Sequence, residues 1–420
     1  MNSLLRNYPN DILIFMRDYK MNDGQFYAEN IKSEEVNVLF FHNTLPEYRI
    51  GWFEALSERV NVEFVFTNEK QNEKDYGFEI EYERAKKLKC TFLPGGKQGI
   101  RELKQIIENV EKYDFVELPP IDSIREVIYS AYIIYKCRKK NVNTGYFWEK
   151  WDAPIEKQPL MRRIKNLVLR IIPGVIYKQV NVIFSTGKKN REYFISNGVN
   201  KNKIVWIPDV SETPECEYSD LRKKYTIPSE SKIILYLGRI YMILQQKGVQ
   251  NLIEAYALLC SDVKDSSYLL IAGDGENLEN CKKLAEKLKI KNIKFVGSVR
   301  PSIRGNYFSQ CDIFVYPVTY FKGWVDVWGL TINEAIQHGK IVIATEAVGS
   351  AYELIENGVN GYQIEPDNIE QLKDALMMSL DSKMMEKARS KDKDLRKQFN
   401  FEMMAELYIK AIMNQKTDSR

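Results

Sequence analysis

Histidine is nearly absent from this chain: His42 and His338 are the only two in 420 residues. A histidine-rich metal site or an imidazole relay therefore has few candidate residues. The six cysteines (Cys90, Cys137, Cys216, Cys260, Cys281, Cys311) are scattered, with no CxxC pair. That argues against zinc or a disulfide framework and for inert thiols in a reducing compartment. No window reaches the roughly 18 apolar residues of a membrane span. The first twenty residues, MNSLLRNYPNDILIFMRDYK, are too interrupted by Asn, Asp and Pro for a secretory core. The expected location is cytoplasmic. Net charge is only +4, so no overall field for nucleic acid is implied.

What is there is ordinary globular composition, 44% apolar and 28% charged. The length predicts two domains of about 200 residues each. Residues 1–35 are weakly patterned and read as an extension. From Val36 onward, short β-branched and aromatic runs (36–41, 60–67, 90–93, 115–118, 144–148, 182–185, 204–207) alternate with segments of helical spacing. Asp122 is placed to cap a helix through Arg138. The polar stretch SETPECEYSD (211–220) reads as a linker, after which strands and helices alternate again. This is α/β, two doubly wound parallel units in tandem, 36–208 and 209–385, with two sets of strand ends able to face one cleft. The tail Met384–Gln415 is helical, and 386–420 is expected to pack back onto the first unit.

Residues 154–203 carry eleven Lys or Arg against two acidic residues. LMRRIKNLVLRIIPGVIYKQV mixes those cations with bulky apolar positions, as a surface lying on an anionic membrane would. A core helix with a solvated basic face has the same pattern.

Candidate chemistry falls on four strand-end loops of the second unit. Gly238-Arg239, with Lys247-Gly248 before the next helix, supplies a turn and two cations able to neutralise a diphosphate. Ala272-Gly273-Asp274-Gly275 is a tight turn opening a helix. Gly297-Ser298-Val299 exposes backbone groups that can read the edge of a base. In residues 323–362, Asp326 and Glu334 stand eight positions apart around Trp328-Gly329-Leu330-Thr331. Gly329 lets backbone approach a ligand, and a helix starting near Leu330 aims free N–H groups at an anion. Each motif alone also fits an ordinary αβ unit.

Taken in order, LGRI…KG, IAGDG, FVGSV, CDIFVYP, carboxylate-x7-Glu-Ala, G-S-x-x-E and NGVNGY resemble a family-4 glycosyltransferase of the GT-B fold. The resemblance is good over roughly 182–375 and loose over 36–150. It implies two Rossmann-like domains facing one cleft, closing on a nucleoside diphosphate sugar without a metal or other cofactor. By the same resemblance Arg239 and Lys247 contact the diphosphate with Gly238, and Gly329, Leu330 and Thr331 cap its phosphates. Glu334 bonds the ribose, Gly297, Ser298 and Val299 hold the base, and Asp326 reads the sugar near the developing positive charge. The implied activity is retaining transfer of a hexose-type unit to a glycan or lipid-linked acceptor. Bacterial capsule, exopolysaccharide or O-antigen assembly is the setting expected, with peripheral association at the inner membrane face. A catalytically inactive partner of this fold, or an epimerase or phosphorylase, is the alternative.

Three departures from the family stand out. The first acidic position is Asp326 where Glu is usual. Gly238 to Lys247 is longer by about three residues, through YMILQQ. The Gly-rich first loop and usual histidine of the first domain are not found, and His42–Tyr48 and Glu149 are the candidates to replace them. Glu149, between Trp148 and Trp151, has the setting of a desolvated and more basic carboxylate. His42 is equally a strand-end structural residue, and His338 reads as a helix C-terminal one. Asp209 and Glu353 are expected near the cleft.

Overall fold

A computed structural model describes residues 36–68, 84–121, 123–240 and 247–417. The N-terminal extension, part of the charged 71–89 stretch, Asp122 and the YMILQQ insertion lie outside these residues.

The first sheet holds β1 (Asn37–His42), β2 (Asn61–Phe66), β3 (Cys90–Phe92), β4 (Phe115–Glu117), β5 (Asn143–Phe147), β6 (Val182–Ser185) and β7 (Ile204–Trp206). Their order is β3-β2-β1-β4-β5-β6-β7, and every neighbouring pair is parallel. The second sheet holds β8 (Lys232–Leu237), β9 (Ser267–Ala272), β10 (Ile293–Gly297), β11 (Ile313–Tyr316), β12 (Ile341–Thr345) and β13 (Gly361–Ile364). Its order is β10-β9-β8-β11-β12-β13, again all parallel. Strands buried on both faces need apolar residues at every position, which is why β8 reads KIILYL and β12 IVIAT. In each sheet the order reverses beside the first strand of the unit, opening a crevice at the carboxyl ends.

Two local expectations change. The helix Ile124–Lys139 is capped by Ser123, whose hydroxyl accepts from Arg125 N. The tail is two helices, Ser382–Gln398 and Phe401–Thr417, because Asn400 restarts the chain by accepting from Met403 N at 2.8 Å. Ser382–Gln398 packs on the helix Leu330–Gln337 of the second unit, so the return starts later than residue 386. Phe401–Thr417 packs against Ile50–Ser57, β5 and β6 of the first unit. There Tyr408 sits among Phe40, Trp52, Phe115 and Phe184, and its hydroxyl donates to buried Glu117 at 3.0 Å.

Candidate active site

The site is assembled at the carboxyl ends of both sheets. On the second unit the loops after β8, β9 and β10 are laced together. Gly238 N donates to Ala272 O, and Gly273 N donates to Gly297 O at 2.8 Å. A side chain on Gly273 would meet Gly238 O at 1.8 Å, so the close approach requires glycine. The Gly297 carbonyl thus already accepts one bond, while open space lies above its Cα. Ser298 is exposed and Val299 leans on the core.

Lys247 is brought to the centre by Gly248. That residue has φ +64°, and a Cβ on it would meet Pro317 O at 1.8 Å. The Lys247 ammonium donates to the Tyr316 hydroxyl and to Asp326 Oδ2, and Tyr316 donates to the same Oδ2 at 2.6 Å. Burial alone would raise the Asp326 carboxyl. Lys247, the Tyr316 hydrogen bond and the nearby Arg239 charge outweigh it and hold the group below its ordinary value. Tyr316 itself is pushed well up by burial and by Asp326.

Asp326 precedes the helix Leu330–Gln337, whose N-cap Gly329 has φ +87° and offers no side-chain cap. A Cβ there would meet Val348 Cγ1 at 2.6 Å. The helix therefore begins with backbone donors at Leu330 and Thr331, as an anion requires. One turn further on, Glu334 is fully buried and accepts from Ser211 Oγ at 2.7 Å. Arg304 lies 3.3 Å from the same oxygen, Oε1. Oε2 has no hydrogen-bond partner. Burial raises the Glu334 carboxyl, opposed by Arg304 and Ser211.

The first unit contributes a second cluster. Arg49, buried under Trp52 and Phe147, binds Glu149 and, at 2.9 Å, Asp209 Oδ1. The FWEKW segment is fixed by Asn190, whose amide donates to Trp148 O and Lys150 O. Trp151 closes the joint between units by donating to Val327 O at 3.1 Å. Burial raises Glu149 well above its usual range. Asp209 adds to this, Arg49 opposes it, and the charge of Asp326 across the joint reaches it too. His42 donates from Nδ1 to Thr44 O at 2.8 Å, and its buried Nε2 has no partner. Burial and the Arg49 charge depress its pKa to about 3, so it is neutral.

Asp326 and Lys247 are thus bonded just ahead of the helix start at Gly329–Thr331. The charge of Arg239 acts on Asp326, whose own charge reaches Glu149 across the joint. His42 feels the Arg49 charge. Glu334 is buried within the first turns of that helix, and Gly297–Val299 lie at the end of β10 beside the Gly273 loop. His338 caps the end of its helix, bonds Thr213 and stacks on Phe308, a structural role. Glu353 accepts from Lys188 N at 2.7 Å, tying the second unit to a helix of the first. Tyr316, Arg49, Arg304 and Ser211 were not singled out from the sequence. An arginine in the apolar run RIGWF was the one available hint, since a buried cation needs partners.

These features, two Rossmann-like units meeting at a nucleotide-type crevice, define the GT-B fold. Residues 217–398, most of the second unit and the helix that follows it, match the family model described as glycosyl transferases group 1. The chain is 27% identical over 246 residues to an uncharacterized glycosyltransferase of Methanocaldococcus jannaschii, covering 57% of this chain and 60% of that one. It is 31% identical over 137 residues to alpha-monoglucosyldiacylglycerol synthase of Streptococcus pneumoniae, covering 32% of this chain and 29% of that one. The matches thus span three fifths or less of these relatives' own length. The Anabaena protein HepE, solved with UDP and glucose, superposes with a TM-score of 0.67 at 16% identity, over 90% of this chain and all of that one. The lipopolysaccharide outer core galactosyltransferase WaaB superposes with a TM-score of 0.63 at 15% identity, over 90% of this chain and all of that one. At such identities the superpositions establish the fold.

Proposed function

We propose that the protein is a glycosyltransferase that moves a hexose-type sugar from a nucleoside diphosphate donor to a hydroxyl of a glycan or lipid-linked acceptor. The observation that carries this reading is the Lys247–Tyr316–Asp326 cluster set against the uncapped helix start at Gly329. An ammonium, backbone N–H groups and the nearby Arg239 converge where a diphosphate leaving group would build up charge. Asp326 is then placed to bind sugar hydroxyls and to stabilise positive charge at the anomeric carbon. The unsatisfied Oε2 of Glu334 is suited to a ribose hydroxyl, since a buried acceptor without a donor is costly until one arrives. Glu149, held by Arg49 and reached by the Asp326 charge across the joint, is the candidate to position the acceptor hydroxyl. We read the transfer as retaining and metal-independent, with bacterial surface polysaccharide assembly as its setting. HepE's UDP and glucose and the lipid-directed pneumococcal relative support a nucleotide-sugar donor and a lipid-linked acceptor.

The test is incubation with a panel of UDP-, GDP- and ADP-sugars, measuring nucleotide release and donor-dependent rise in melting temperature. Release with at least one donor, largely lost when Arg239 and Lys247 are both changed to Ala, is expected. No release and no thermal shift with any donor would instead make the chain a non-catalytic partner of this fold.

A further inference from the structure

The helix Ile124–Lys139 turns an apolar row outward. Ile124, Ile128 and Tyr135 are 78, 59 and 52% exposed, at spacings of four and seven residues, with exposed Ala131 between the last two. That is one face of a helix, and it is the face that normally carries charge. The adjacent helix Leu160–Gln179 exposes Leu160, Met161 and Ile164 at its start. The two helices pack side by side, and a groove of about 560 Å³ lies between the first helix and the C-terminal end of the second, lined by Ala131, Tyr135, Val175 and Ile176 and flanked by Arg138 and Lys139. Single exposed apolar residues need no explanation, but a row of them on one helix, with more at the start of its neighbour, does.

The charge on the two helices is chiefly positive, with Asp152 and Glu156 ahead of the second helix and Glu111, paired with Lys140, the acidic groups nearby. The helix Leu160–Gln179 contains no acidic residue, and Glu126 of its neighbour is buried against Arg125 and Ser123. No helix among the described residues is long and apolar enough to cross a membrane. The strip therefore suits a surface that is apolar below and anionic above, which is the headgroup boundary of a bilayer. Its position also matters. Helices leave the carboxyl ends of strands, so Ile124, Leu160 and Met161 stand at the cleft end. There Arg162 stacks on Trp324 of the second unit at 4.2 Å and donates to Lys322 O at 3.2 Å.

We propose that this face, the outward row of Ile124–Lys139 with the start of Leu160–Gln179, docks the protein flat on an anionic lipid bilayer. The cleft then opens beside the membrane, where a lipid-linked acceptor is delivered. The inference rests on the transferase reading for the acceptor, but the docking can be measured separately. The experiment is sedimentation of the whole chain with vesicles of phosphatidylcholine alone or mixed with phosphatidylglycerol. Binding to the mixed vesicles only, weakened by salt, is expected. Ile124→Glu with Ile128→Glu should weaken it about tenfold, and Arg138→Glu with Lys139→Glu should weaken it and flatten its salt dependence. Both variants should keep the wild-type melting temperature and donor-induced thermal shift, since the changed side chains are exposed and outside the donor site. Wild type that ignores anionic vesicles at low salt, or variants that bind as wild type does, would overturn the proposal. So would a wild-type dimer that Ile128→Glu dissociates, because the strip would then cover a second copy. Vesicle binding without any donor response would leave the docking intact and remove the transferase reading instead.

Discussion

Lys247 reaches Asp326 because the residue after it has no side chain. Gly248→Ala forces a Cβ against Pro317 O in a left-handed conformation, and should cost about 1–3 kcal/mol in a denaturant titration. Lys247→Ala acts on the chemistry instead. On the proposed reading it removes a cation from the position of the leaving group, and it frees Asp326 from its main counter-charge. Turnover should fall on the order of 100-fold or more, read by nucleotide release under saturating donor. Glu334→Ala should show mainly in binding, raising the nucleotide dissociation constant about tenfold in calorimetry, because on the proposed reading a ribose hydroxyl would lose its acceptor. Unchanged turnover in the first variant together with unchanged affinity in the second would place the donor elsewhere. The Asp326–Glu334 spacing and the two cations could be read from sequence because helix starts and strand ends are local. Tyr316 could not, since a tyrosine closing IFVY reads as core. Nor could the partnership of Arg49 with Asp209, which are 160 positions apart and meet only when the units dock.

At the scale of elements, the central strands such as β6 (VIFS), β8 (KIILYL), β11 (IFVY) and β12 (IVIAT) stand out as apolar runs, because a two-sided parallel strand leaves few positions for a polar residue. Others carry polar residues, such as Glu63 in β2, Glu117 in β4 and the half-buried Gln363 of β13, where Gly361 is needed because a Cβ would strike Val342 O at 1.9 Å. The charge and helical spacing of the tail run on without a break, so its sequence predicts continuous helix. The break depends on Asn400, a local N-cap signal, and on two different docking partners, which no local pattern encodes. The return helix Phe401–Thr417 is expected to be strongly coupled to the first unit through Tyr408. Tyr408→Ala empties an aromatic nest and should destabilise by about 3–5 kcal/mol. Tyr408→Phe keeps the packing but strips a donor from Glu117, at about 1–3 kcal/mol. Both are measured by the shift in denaturant midpoint, and equal effects would mean that the ring contributes nothing beyond its hydroxyl.

Across the whole molecule, buried ionisable groups set opposing responses to pH. His42 and His338 are depressed to about 3 and about 4. Unfolding lets them take up protons below pH about 6.5, so they destabilise the fold as pH falls through that window. Glu353 and Asp392 are raised to about 7 and Glu117 to about 8, chiefly by burial. These groups hold protons when folded that they release on unfolding near pH 4, so their contribution is full in acid and is lost as pH rises through 7 and 8. Between about pH 4.5 and 6.5 the two sets oppose one another. Above pH 6.5 the histidines are neutral in both states, and only the carboxyls respond. Stability is therefore expected to fall from pH 6.5 to 8, by up to about 1.4 kcal/mol per pH unit for each carboxyl still protonated. Toward pH 8 the decline should rest largely on Glu117, with Glu149 contributing in the same direction. Glu117→Gln keeps an acceptor for the Tyr408 hydroxyl and removes the titration. Urea midpoints at pH 6.5, 7.25 and 8 should then show a shallower decline for the variant. A variant whose slope matches wild type would show that Glu117 is already ionised in the folded protein, with Tyr408 and Phe147 N sustaining its charge.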